Sequence, residues 1–185
     1  MEDIPSLPFA DFVRWVQQQP AKANTWFEGV PLIAASILWN GYKRFNYLLD
    51  AGAHTSIWIN SLELSILGYA CHHGTEYHVR RLLERGINPA LENTIEWNMA
   101  IRIAVRRANT NILKMLLDAG LSVHVPILYA EDSNTTSLFW DSVNGSASEE
   151  CRSILSDYGA VLPELIVYEV QPHHDFSVYE QRLLT

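Results

Sequence analysis

The chain has 185 residues, enough for one domain of ordinary size with a sizeable core, so it needs neither disulfide nor metal staples. Thirteen Lys and Arg against 21 Asp and Glu give a formal charge of −8, which disfavours general nucleic-acid binding and attraction to an anionic membrane surface. With 48% hydrophobic, 11% aromatic and only 18% charged residues, disorder of the bulk of the chain is excluded. Cys71 and Cys151 are too few for a disulfide scaffold and read as reduced thiols. The opening MEDIPSLPFADF carries acids where a secretory leader needs bases, and no apolar run approaches the roughly 18 residues that span a bilayer. The expectation is an intracellular protein, cytoplasmic or nuclear.

In chain order, Phe9, Phe12, Val13 and Val16 recur at helical spacing within residues 7–19, and Pro20 ends the run. This predicts a helix that caps whatever follows, in a segment covering residues 1–23. Next comes a recurring pattern: Leu48-Leu49-Asp50-Ala51-Gly52, Leu82-Leu83-Glu84-Arg85-Gly86, Leu116-Leu117-Asp118-Ala119-Gly120 and, more loosely, Ile154-Leu155-Ser156-Asp157-Tyr158-Gly159. An apolar pair followed at fixed distance by Gly predicts a helix ended by a left-handed cap residue, four times over. Ahead of each lies a second helical segment with small residues at its centre: Pro31–Ala35, Ile66–Cys71, Ala100–Val105 and Phe139–Val143. The polar run Glu131-Asp132-Ser133-Asn134-Thr135-Thr136 predicts an extended loop between the third and fourth units. Beyond Pro163, Leu165–Val170 reads as extended, and residues 164–185 form a tail outside the repeats.

These residues resemble the ankyrin-repeat family, whose unit of about 33 residues is a β-turn and two antiparallel helices. The resemblance covers about residues 24–163, in units near 24–56, 57–90, 91–124 and 125–163. Its best match runs from Ser65 to Asn88, with Gly74 between the helices and Gly86 after them; Pro31-Leu32 supplies the family's Pro-Leu. Where the family has a capping Thr, this chain has Val30, Ser65, Met99 and Leu138, and its usual His is replaced by Ile33, Gly68, Arg102 and Asp141. The resemblance implies an all-α solenoid of helix-turn-helix repeats with an N-terminal capping helix and an extended C-terminal tail. It also implies a protein-binding scaffold that uses a concave groove and turn tips.

Nucleotide-binding glycine motifs, zinc-protease, serine-hydrolase and C-x-x-C signatures are all missing from the sequence. No cofactor is expected. Cys71, His72 and His78 lack the turn or i,i+4 spacing of paired ligands, so no metal is expected, and His173-His174 reads as a surface pair. In the repeat register, Leu38, Trp39 and Asn40, then His72 and His73, then Arg106 and Arg107, then Gly145 and Ser146 fall just before successive inter-helix turns, as one stripe along the groove. Trp26 and Phe27, Leu62 and Leu64, Glu96, Trp97 and Asn98, then Thr135 and Thr136, occupy the turns ahead of the first helices; Trp26 and Phe27 read equally well as aromatics buried by the cap.

Residues 80–114 hold seven bases and three acids, a local +4 that leaves −12 on the rest. Arg102 and Arg106 stand at i,i+4, so an acidic partner is expected between them, internal or external. The partner-binding candidates are therefore Trp39, Asn40, Leu64, His72, His73, Trp97, Asn98, Arg102, Arg106 and Arg107, and the partner is a protein with an acidic segment. An alternative stays open: a small cofactor-free enzyme or ligand-binding protein, of cyclase or isomerase type. There Tyr69, His72, His73 and Arg106 would hold a small acidic ligand in a pocket closed by the tail.

Overall fold

The computed structural model describes residues 4–39, 42–59, 64–87, 95–123 and 148–160. It is mostly helical, with two small antiparallel sheets. Helix α1 (Phe9–Gln18) turns Phe12 and Val16 inward, one turn apart, and a short 3-10 segment, Pro20–Asn24, follows it. The predicted first helix and its stop at Pro20 are thus both present. Strands β1 (Trp26–Phe27) and β2 (Val30–Pro31) pair as a hairpin whose two linking residues, Glu28 and Gly29, both have positive φ, the geometry that matches the twist of paired strands. The second hairpin joins β3 (Trp58–Ile59) to β4 (Leu64–Ser65).

Each hairpin leads directly into a helix: β2 into α2 (Leu32–Leu38) and β4 into α4 (Ile66–His73). Ser65 caps α4 by accepting the Gly68 N–H at 3.0 Å. The remaining helices are α3 (Lys43–Asp50), α5 (Glu76–Glu84), α6 (Ile95–Arg106), α7 (Thr110–Asp118) and α8 (Glu149–Asp157). Helix α6 corrects the register read from the sequence. Glu96, Trp97 and Asn98, expected in a turn, lie inside it, because nothing from Ile95 to Arg106 breaks a helix.

Helices α3, α5, α7 and α8 end as the repeated pattern predicts. Gly52, Gly86, Gly120 and Gly159 have φ of +79°, +83°, +96° and +84°, and each stands two residues past its helix. In three of them a pair of bonds closes the end, as where Ala53 N–H reaches the Leu48 carbonyl at 2.9 Å and Gly52 N–H reaches Leu49 at 3.2 Å. Helix α6 closes by the same two bonds, Asn109 to Ala104 and Ala108 to Val105, both 3.0 Å, but with Ala108 in the left-handed position at φ +50°.

Packing arranges these helices in two layers. In one, α2 lies on α4 and α4 on α6; in the other, α1 lies on α3, α5 on α7 and α7 on α8, while α2–α3, α4–α5 and α6–α7 pack as pairs. Buried apolar side chains form one contiguous cluster from Phe12 to Leu155. Polar contacts tie the second layer at a nearly constant sequence separation of 31 to 40: Asn46 donates to the Tyr77 hydroxyl, Arg85 pairs with Asp50, Asn111 donates to Glu76 at 2.7 Å, and the Tyr158 hydroxyl donates to Asp118. The predicted loop around Glu131, the segment Phe139–Val143 with Gly145 and Ser146, and the tail 164–185 lie outside the described residues.

Candidate functional site

Helices α4 and α6 pack side by side and end at the same edge of the molecule. Their last turns bring basic side chains to the surface: His72 and His73 close α4, Arg106 closes α6 and Arg107 follows it, all four exposed. Part of their presence is explained by helix electrostatics, since cations at a helix C-terminus contribute about 0.3–1 kcal/mol. The side chains also interact with one another. The His72 and His73 rings lie 4.3 Å apart between centroids, and the Tyr69 ring lies 4.5 Å from His73 at a tilt of 37°.

Tyr69 itself is buried, and burial raises the pKa of its phenol, which keeps it neutral. Partial burial lowers the His73 pKa below the usual imidazole value, and the positive charges of His72 and Arg107 push it further the same way. Both charges that act on His73 are cationic. The result is an edge where imidazole and guanidinium groups crowd together, and among the described residues no carboxylate acts on the His73 proton.

Several other sequence candidates are placed elsewhere. Leu64 is buried in β4, and a methyl group added at Gly68 would stand 3.4 Å from the Leu64 Cδ2, so Leu64 is core and not a turn tip. Arg102 is buried at 7% exposure, and the expected surface pair with Arg106 is absent. The i,i+4 spacing fails there because α6 is sandwiched by α4, α7 and β4, with Ala100, Ile101, Ile103, Ala104 and Val105 all buried around Arg102. Trp39 is half-buried in an aromatic cluster, edge-on to Phe12 at 6.2 Å and to Phe27 at 5.8 Å, with the Arg44 guanidinium 5.6 Å over its ring. Its neighbour Leu38 is 58% exposed, and Trp26 on the first hairpin is 54% exposed, whereas Phe27 packs inward. Asn40 and the side chains of Trp97 and Asn98 lie outside the described residues.

A second cluster, on α3 and α5, escaped the sequence reading. His78 is buried at the start of α5, where its Nδ1 accepts the Thr75 N–H at 3.1 Å and its ring meets Phe45 at 4.8 Å and Tyr42 at 5.1 Å. Burial lowers its pKa. Here His fills the helix position where Glu or Gln usually completes such a cap. Cys71 is buried, with its pKa raised by burial, so it is an inert thiol. Among the described residues, no group of three or more His, Cys, Asp and Glu side chains is arranged to hold a metal ion, and no helix is long and apolar enough to cross a membrane. No protein-family model matches the chain, and no curated protein matches it in sequence.

Proposed function

We propose that the chain is a protein-interaction module, an ankyrin-like stack of helical repeats that captures an acidic segment of another protein. The observation that carries this reading is the exposed basic edge of His72, His73, Arg106 and Arg107 on a chain whose net charge is −8. Supporting the stack are the four glycine-closed helix ends, the two layers of helices and the polar contacts that recur at separations of 31 to 40. Arginine suits the partner, because its planar fork binds carboxylates in pairs of hydrogen bonds. Leu38 and Trp26 add exposed apolar surface of the kind that anchors interfaces.

The small-ligand enzyme reading has less support. A proton relay needs a hydrogen bond between its members, and Tyr69 and His73 instead meet as tilted rings. The test is selection of random displayed peptides on the parent chain and on the Arg106→Glu/Arg107→Glu variant. Aspartate- and glutamate-rich peptides enriched on the parent and lost from a variant of unchanged melting temperature are the expected outcome. The same peptides on both proteins, or no acidic enrichment on the parent, refutes the proposal.

A further inference from the structure

We propose that this edge binds a carboxylate-rich peptide segment together with a proton, which His73 takes up as the segment docks. The inference rests on the acidic-partner reading above and adds a regulation to it: capture strengthens as the pH falls. Its basis is the geometry at the end of α4. His73 is exposed, yet its ring lies 4.5 Å from the Tyr69 ring and 4.3 Å from the His72 ring, both tilted against it, with the Arg107 charge acting on it. An additional positive charge on its ring is opposed by partial burial and by the neighbouring His72 and Arg107 side chains. A carboxylate laid across the same edge reverses that opposition, because an opposite charge within about 4–6 Å favours the protonated imidazole.

Among the described residues no carboxylate pairs with His73, although α5 carries Glu76 and Glu84. Helix α2 and strand β4 contain no ionisable residue. From α5, the Glu76 carboxylate accepts a hydrogen bond from Asn111, and His78 is buried with its Nδ1 committed to the Thr75 N–H. From α6 and the residue after it come Arg102, which is buried, and the exposed Arg106 and Arg107, while Glu96 stands in the first turn of α6, at its far end. On α4 itself the other titratable groups are Tyr69, Cys71 and His72.

Binding that raises the proton affinity of a site takes up protons by the amount that site's occupancy changes, and one histidine gives at most about a tenfold gain in affinity per pH unit. Calorimetric titration with a short synthetic peptide of alternating aspartate and serine, run near pH 6 in buffers of different ionisation enthalpy, counts those protons directly. Aspartate stays ionised there, its pKa being about 3.9. The expected result is uptake of about half a proton per peptide and an affinity at least about threefold higher near pH 6 than near pH 7.5. His73→Gln should lose the uptake, and His54→Gln, on an exposed loop away from the edge, should keep it. Binding without proton uptake, or uptake unchanged in His73→Gln, overturns the inference and leaves the acidic-partner reading standing. No binding of the peptide at either pH overturns that reading and the inference with it.

Discussion

Gly86 ends α5 at φ +83°, and a Cβ built there meets no atom within 4 Å. Any loss on substitution is therefore conformational and not steric. The left-handed region costs an L-residue about 1–2 kcal/mol, while replacing Gly by Ala recovers about 0.4–1 kcal/mol from the unfolded chain. Gly86→Ala should thus destabilise by about 1 kcal/mol, a fall in Tm of roughly 2–4 °C for a chain of this length. Gly86→Val, β-branched, should cost about 1–3 kcal/mol, and Gly86→Asn should recover most of the loss because Asn enters the left-handed region readily. Gly74 provides the contrast. Its φ is −89°, but a Cβ there would stand 2.6 Å from the Ala70 carbonyl oxygen that its own N–H bonds. Gly74→Ala should cost about 1–3 kcal/mol by overpacking, and Asn should not rescue it. Urea unfolding followed by far-ultraviolet circular dichroism measures all of these. Equal stability of the Gly86→Ala variant and the parent, or no difference between Asn and Ala at 86, would refute the repeat register.

Other substitutions test the remaining features. Ala108 takes the same left-handed position at the end of α6, so Ala108→Gly should leave stability unchanged or raise it by up to about 1 kcal/mol in the same urea assay. Burial lowers the pKa of His78 and of His73, so the unfolded chain binds more protons than the folded one below the ordinary imidazole pKa of about 6.5. Stability should accordingly be fully present above about pH 6.5 and fall as the pH drops below it, with a shallower fall in His78→Gln; a flat urea midpoint between about pH 7.5 and 5.5 contradicts this. The Asp50–Arg85 pair joins α3 to α5 across exposed side chains. Asp50→Asn should therefore cost less than about 1 kcal/mol, and a larger loss of melting temperature would show the pair to be part of a stronger network.

The helix ends are legible because a left-handed cap selects Gly, and Gly52, Gly86, Gly120 and Gly159 each follow an apolar pair at the same or nearly the same distance. The end of α6 is not, since Ala108 does the same work without that signature. The start of α6 differs from the reading for another reason: the repeat register puts Trp97 and Asn98 in a turn, whereas the helix begins at Ile95, directly after Thr94, a residue type that favours helix starts. At the candidate site, the surface position of His72, His73, Arg106 and Arg107 is legible because they sit at helix ends, whichever face the helix buries. Leu64 and Arg102 are buried and not at the surface, because their exposure depends on what packs above them, which spacing within one helix or strand does not encode. The bonds from α3 to the end of α5 and from α5 to α7 are readable in principle. Asp50 with Arg85, and Glu76 with Asn111, are complementary residues 35 positions apart, a pattern that appears once the units are written one above another.

The most direct test of the basic edge is to map amide chemical shifts of the isotopically labelled chain as the aspartate–serine peptide is added. The edge account predicts the largest changes at residues 72–74 and 106–108, and their loss in Arg106→Glu/Arg107→Glu. Changes centred instead on the α3 and α5 layer around Tyr42 and Tyr77, or no changes at saturating peptide, would contradict it.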